Sequence, residues 1–302
     1  MLTRATLYFD EVARRLSIHR ASERLNIAPS AVDRQILQLE AKLGVPLFER
    51  LPRGLRLTAA GELLLVTVRR WRRDMQRVES QLDDLRGLRR GEISIAMAEG
   101  TAHFVTAVVK SFHARYPAIA FRLREAGSQS AVDLIMNGEC EIGLTYNPPD
   151  SRTLRMERTL IYRLGVLVSA SHPLAKQAEV KLIDCADYPL ILPHESLALR
   201  DVIDREWNRL VGERARFLVE ANSKELMKLM VSADLGIAIL PSLDARDEIA
   251  AGSAVWLPLT DHKIPPSILS LVTASGRTLS GSASLLLQHI SMAMEAEGAP
   301  GV

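Results

Sequence analysis

Arg34, Arg50 and Arg53 carry the most distinctive chemistry in this 302-residue chain. A guanidinium presents five N–H donors in a rigid fork that matches phosphate oxygens and the acceptor edge of guanine. These arginines are not alone. Up to Arg90 the chain holds 18 Lys and Arg against 11 Asp and Glu, and after it 20 against 25. Of the early cations only Lys42 is not arginine. A basic first third fused to a mildly acidic remainder turns the first part toward a polyanion, although a GC-rich genome also favours arginine.

Bond-making chemistry has no comparable foundation. There is no GxSxG elbow, HExxH, P-loop or GxGxxG, so no catalytic residue is assigned and no enzyme is expected. His172, in His172-Pro173-Leu174-Ala175, and His194 before Glu195 are read as turn and surface residues. Cys140 and Cys185 stand far apart without a CxxC partner. They predict buried structural thiols rather than a disulfide, a redox switch or a metal site, and they fit a reducing compartment. The start, Met1-Leu2-Thr3-Arg4, runs into Asp10 and Glu11 with no apolar leader, and no stretch nears the roughly 18 apolar residues of a membrane span. A cytoplasmic protein with no membrane partner is expected.

The elements that would position the arginines follow from periodicity. Phe9, Val12, Ala13 and Leu16 recur at helical spacing, predicting a helix over about Leu2 to Leu16. A second helix, about His19 to Leu25, carries small Ala21 and Ser22 that allow close helix approach. Asn26 then suits a tight turn and Pro29 the first turn of a third helix. There Val32, Ile36, Leu39 and Leu43 face inward, leaving Ser30, Asp33, Arg34 and Leu37 on the other side. Two short helices joined by about three residues make a helix-turn-helix. Val45 to Arg50, Pro52-Arg53-Gly54 and Leu55 to Thr58 read as a hairpin wing with Arg53 at its tip, flanked by Arg50 and Arg56. A narrow minor groove attracts such arginines.

The run Ala21-Ser22-Glu23-Arg24-Leu25, Pro29-Ser30-Ala31-Val32, Arg34-Gln35-Ile36, Leu39-Glu40, Leu43 to Arg50 and Leu57-Thr58-Ala59-Ala60-Gly61 closely resembles the DNA-binding domain of LysR-type regulators over about sixty ungapped residues. The resemblance implies that Pro29, Ser30, Asp33, Arg34, Arg50 and Arg53 lie at double-stranded promoter DNA. Ser30 and Arg34 are assigned to the major groove, Arg50 and Arg53 mainly to backbone or minor groove. Asp33 stands where the family usually has Ser or Thr. It either accepts a hydrogen bond from a cytosine amino group or completes a Ser30-to-Asp33 capping box and reads nothing.

Thr58 can cap a long helix running to about Leu88, in which Leu64, Val68, Trp71, Met75, Val78, Leu82 and Leu85 repeat at alternating spacings of four and three. That is a coiled-coil seam of about three heptads. The resemblance implies a homodimer through these linker helices, a homotetramer if dimers pair, and two reading heads on a partly palindromic site.

After Gly91, short β-rich runs alternate with helices: strands at Ile93–Ala98, Ala120–Glu125 and Glu141–Tyr146, then Arg163–Ser169, Leu190–Leu192, Arg216–Val219, Gly236–Ile239 and Ser267–Thr273. Such alternation predicts a parallel sheet with helices on both faces. Asn137 to Leu144, His172 to Ala175 and Leu235 to Pro241 resemble the same family's effector domain, with Glu141 in place of a common Asp and Asp234 in place of a frequent Gly. The implied fold class is α/β: an N-terminal winged helix-turn-helix (1–58), a linker and dimerisation helix (59–90), and a two-lobed, periplasmic-binding-protein-like effector domain (91–302). Lobe 1 takes about 91–160 and 266–302, and lobe 2 about 161–265. Crossings are placed near Thr159 to Arg163 and Lys263 to Pro266.

In such a cleft, helix N-termini from both lobes converge and favour an anion. Thr101 and Ser128 in lobe 1, and Ser196 and Asn222 in lobe 2, are the candidate effector contacts. Each also has an ordinary explanation: Thr101 and Ser128 cap helices, and Asn222 with Glu225 makes a capping box. No cofactor is implied beyond a small-molecule effector. A small carboxylate fits the helix ends, while Glu99 beside Thr101 would repel one. The expectation is a LysR-type regulator whose promoter grip is modulated by an effector in the inter-lobe cleft. A solute-binding or enzymatic α/β protein with a dimerisation module, or a ligand-free architectural DNA binder, are the rival readings.

Overall fold

Inward-facing Phe9, Val12, Ala13, Val32, Ile36 and Leu39 organise the first part of the chain around one apolar core, and Leu47, Phe48, Leu65 and Val68 complete it. The computed structural model describes residues 3–52, 54–85, 91–212, 215–261 and 263–298. They fall into two units, Met1–Leu82 and Asp83–Val302.

In the first unit, α1 (Arg4–Arg15) begins at a reciprocal Thr3/Thr6 capping box. It is followed by α2 (Ile18–Leu25) and α3 (Pro29–Leu43), then β1 (Phe48–Leu51) and β2 (Gly54–Leu57), which pair antiparallel, and α4 (Ala59–Leu85). Asn26 closes α2 at φ 55°, the left-handed turn that its short polar side chain tolerates. Gly61 lets α4 pass close to the chain before the wing, since a Cβ there would collide with the Leu47 carbonyl. Residues 86–88, where the sequence places the last of the linker helix, lie outside the described residues.

The second unit holds two five-stranded sheets. The first is built from β3 (Gly91–Ala98), α5 (Ala102–Arg115), β4 (Ile119–Ala126), α6 (Ser128–Met136), β5 (Ile142–Tyr146) and β6 (Leu154–Tyr162). The second uses β7 (Leu164–Ser169), β8 (Leu190–Pro193), α7 (Ala198–Leu210), β9 (Phe217–Ala221), α8 (Lys224–Ser232), β10 (Ile237–Pro241), α9 (Arg246–Ala250) and β11 (Ala254–Pro258). The chain then returns to the first sheet as β12 (Ser267–Ala274) and ends in α10 (Gly281–Gly298). Strand orders are β4-β3-β5-β12-β6 and β11-β7-β10-β8-β9.

The sheets are mixed, not parallel as the alternation predicts. β3, β4 and β5 run parallel, and so do β8, β9 and β10. β12 lies antiparallel between β5 and β6, and β7 pairs antiparallel with both β10 and β11. The antiparallel members are strands that enter or leave a sheet where the chain changes lobes, so no crossover helix dictates their direction. Each sheet has its own core, one around Val166, Leu167, Ile191 and Ile239, the other around Ile93, Leu144, Leu271 and Leu286. The result is an α/β periplasmic-binding-protein-like pair of lobes preceded by a winged helix-turn-helix and a long helix. Asp234 takes φ 60° where glycine would be easiest, and its carboxylate accepts a hydrogen bond from Ser169 Oγ, so the turn is kept.

Candidate nucleic-acid interface and effector cleft

Small buried Ala21 and Ser22 seat α2, and the Ser22 hydroxyl donates to the His19 carbonyl at 2.7 Å. Ala28 is the N-cap of α3 and makes no side-chain cap; Pro29 fills the first helical position. Ser30, Arg34 and Leu37 are exposed on one side while Val32, Ile36 and Leu39 are buried on the other. Among the described residues no carboxylate pairs with Arg34.

Asp33 does not cap α3, because Ser30 lies inside the helix rather than at its cap. Its Oδ1 instead accepts from Nη2 of Arg50 on β1 at 2.7 Å. Of the two expected roles the capping box is thus not formed, and a wing arginine is the partner of Asp33 instead. Farther along the same flank, Glu40 Oε1 accepts the N–H groups of Leu47 (2.7 Å) and Phe48 (3.1 Å), fixing where the wing begins. Glu49 and Arg56 stand opposite each other across the hairpin and pair, with Arg56 Nε 3.0 Å from Glu49 Oε2. Gly54, at φ 100°, lets Leu55 N–H reach the Leu16 carbonyl at 2.9 Å, tying the wing to the end of α1. Arg53 lies outside the described residues.

Thr58 accepts the Gly61 N–H at 3.0 Å, the cap expected at the start of α4. The proposed seam divides. Val68 is fully buried and Leu64 packs beside it in the core of its own unit, whereas Trp71, Met75, Val78 and Leu82 are 43–50% exposed. Val68 is therefore corrected from a partner contact to a core residue, since on this turn the heptad stripe coincides with the face that Phe9 and Ile36 need covered, while half-buried Leu64 borders that core. The side chain of Leu85 lies outside the described residues. The sequence reading missed Asp10. Almost fully buried, it pairs with Arg14 (3.3 Å), Arg69 (3.4 Å) and Arg72 (3.1 Å), pinning α4 to α1. The signal was an acid beside Phe9 on the inward side of an amphipathic helix, which needs partners to stay there.

In the second unit a cleft with an empty volume of about 380 Å³, part of it open to solvent, is lined from the first sheet by Ala98, Glu99, Ser128, Tyr146 and Ser267. From the second sheet Leu197, Ala198, Leu199 and Lys224 face it. Of the four candidate effector contacts only Ser128 lines it. Thr101 is fully buried and turned back, its hydroxyl donating to the Ala98 carbonyl at 2.7 Å. Ser196 is exposed and bound to its neighbour, its N–H donating to His194 Nδ1 at 3.1 Å. Asn222 is exposed and caps nothing. Ser223 is the N-cap of α8, its Oγ accepting the Leu226 N–H at 3.4 Å, because the chain enters the helix one residue later than the Asn222/Glu225 pattern suggests. Thr101 and Ser128 cap no helix through their side chains either.

Lys224 and Asp244 were not foreseen. The pair is buried, 2.6 Å apart, with Nζ also donating to the Glu99 carbonyl at 3.3 Å and lying 4.4 Å from the Tyr146 ring centroid. Tyr146 OH donates to the other Asp244 oxygen at 3.2 Å, and burial followed by the Asp244 charge holds that phenol well above its ordinary pKa. Gly100, at φ 87°, makes room: a Cβ there would strike the Asp244 carboxylate. Burial, then the charges of Glu99 and Glu225, raise the Glu125 carboxyl near the same end of the first sheet. Two helix N-termini at the cleft, those of α6 and α7, have no side-chain cap.

Both cysteines are buried, and burial pushes Cys140 up to about 11 and Cys185 to about 12. His172 caps a short turn by accepting the Leu174 N–H at 3.2 Å, a turn role, but it is buried against Tyr188 rather than at the surface. Among the described residues no cluster of His, Cys, Asp and Glu could hold a metal ion, and no helix is long and apolar enough to cross a membrane.

Residues 3–62 match the bacterial regulatory helix-turn-helix protein, lysR family, and residues 86–295 match the LysR substrate binding domain. The chain belongs to the LysR family. As a LysR-type protein it is a DNA-binding transcription regulator with a domain for a small-molecule effector. It is 28% identical to the RuBisCO operon transcriptional regulator of Allochromatium vinosum over 77% of this chain and 76% of that one. With the transcriptional dual regulator GltC of Bacillus subtilis the identity is 30% over 94% of each chain. Its fold is similar to that of full-length CbnR complexed with its target DNA, with a TM-score of 0.72, 20% identity, and coverage of 97% of this chain and 100% of that one.

Proposed function

We propose that this LysR regulator grips promoter DNA with the exposed side of α3 and the wing, and that a small molecule in the cleft modulates the grip. Pro29, Ser30 and Arg34 meet the major groove; Arg50 and Arg53 meet backbone or minor groove. The observation that carries this reading is the 2.7 Å hydrogen bond from Arg50 Nη2 to Asp33, which brings a wing guanidinium beside the α3 residue that neighbours exposed Arg34. We assign 1–58 to DNA reading, 59–90 to pairing and 91–302 to sensing, with lobes of 91–160 plus 266–302 and of 161–265. Trp71, Met75, Val78 and Leu82 support a homodimer through α4, since a row of half-exposed apolar side chains is stabilised by a second copy. Dimers pair into tetramers. The protein works in the cytoplasm and is not an enzyme.

The effector is a small carboxylate held by the uncapped N–H groups of α6 and α7 with the Ser128 hydroxyl. Its binding energy differs between open and closed lobes, and that difference shifts the regulator's state. Affinity for a promoter duplex, measured over a salt series, must fall steeply, because every phosphate neutralised releases counterions. Binding that is insensitive to salt, or absent at low ionic strength, overturns the DNA reading. A thermal-shift screen of metabolites tests the sensor: a carboxylate that binds the folded state raises the midpoint.

A further inference from the structure

Asp33 and Glu40 lie seven residues apart on one flank of α3, and both reach β1. Glu40 accepts backbone N–H groups and so fixes the wing's root. Asp33 does something different: it takes hold of a side chain. Arg50 is 60% exposed and Asp33 32%, so the pair is wet, and such pairs add little to folding stability. Its effect lies in what it does to the guanidinium. One N–H is committed to Asp33, which biases the fork toward one orientation and the remaining donors toward the exposed side. At the same time the carboxylate offsets a charge that would otherwise be drawn to any phosphate.

We propose that Asp33 is a positioning residue of the DNA interface: it holds Arg50 in one orientation and offsets its charge, lowering affinity for arbitrary duplex while favouring one register. Asp33 touches no base. The inference rests on the reading that α3 and the wing meet DNA. It explains how an acid can stand beside a phosphate-binding surface, a position where an unpaired carboxylate would only repel.

The test uses the full-length chain. Duplexes enriched from a random pool by the wild type are compared with scrambled duplexes of equal length, over a salt series, for the wild type, Asp33→Asn, Asp33→Glu, Arg50→Gln and the Asp33→Asn/Arg50→Gln double variant. Asp33→Asn is expected to bind scrambled duplex more tightly, with a salt slope steeper by about 0.9. Its preference for the enriched duplex should drop on the order of five-fold. Asp33→Glu keeps an acceptor and restores the preference. Adding Asp33→Asn to Arg50→Gln should leave the preference for the enriched duplex unchanged, although it relieves the repulsion of the now unpaired carboxylate and tightens binding to both duplexes alike. An unchanged slope and preference in Asp33→Asn, equal behaviour of Asn and Glu, or an altered preference confined to one base pair would overturn the proposal and leave the DNA reading standing. Failure of the wild type to enrich any duplex overturns the DNA reading, and this inference with it.

Discussion

Glu99 Oε2 lies 3.1 Å from the backbone nitrogen of Lys224, so a carboxylate at the end of β3 closes the N-terminus of α8. One of the helix ends expected to greet an effector is thus already filled by the protein's own acid. Glu99→Ala removes the acceptor, and loss of a helix cap costs about 1 kcal/mol. Urea unfolding is expected to show that loss, with Glu99→Gln retaining part of it.

Lys224→Met leaves Asp244 buried and without its cation, which typically costs about 3–5 kcal/mol. Asp244→Asn added to Lys224→Met removes the stranded charge and is expected to recover a large part of the loss. Denaturant midpoints of the wild type, both single variants and the double variant give the coupling directly. Additive losses would show that the two groups are not coupled.

The thiols set an alkaline limit. In the unfolded chain a thiol ionises near its ordinary value of 9, whereas folded Cys140 and Cys185 hold their protons to about 11 and about 12. Between those values the folded state binds more protons, so unfolding free energy falls as pH rises from about 9 toward 12. Chemical denaturation at stepped pH should show the decline, with less slope in Cys185→Ala. At pH 8 the native thiols should resist iodoacetamide and react once the chain is unfolded.

Along α4, two substitutions separate core from seam. Val68→Ala empties a fully buried site and is expected to cost roughly 2 kcal/mol of stability. Met75→Glu, on the half-exposed stripe, should leave the fold intact and weaken self-association in analytical ultracentrifugation. If Met75→Glu keeps the wild-type oligomer, pairing does not run through this stripe.

The elements that the sequence displayed best were those with local causes. Asn26 at a left-handed turn, Pro29 opening α3 and Thr58 capping α4 each act within a few residues, and each was readable from spacing. β6 and β11 have no such local marker, and only their pairing with β12 and β7 reveals them as strands. The same limit hid Lys224 and Asp244, whose meeting depends on two elements closing around Tyr146. Asp33 is conspicuous in the sequence, but Arg50, 17 residues on, becomes its partner only through the folding of the hairpin against α3. Periodicity alone likewise misassigned Val68, since a heptad stripe does not say which neighbour it faces.

Asp10, clasped by Arg69 and Arg72 beneath a helix that also surrenders Leu65 and Val68 to the interior, fastens α4 to the reading head by charge as well as by apolar contact. A displacement of the first turns of α4 therefore pulls on Asp10, and through it on α1.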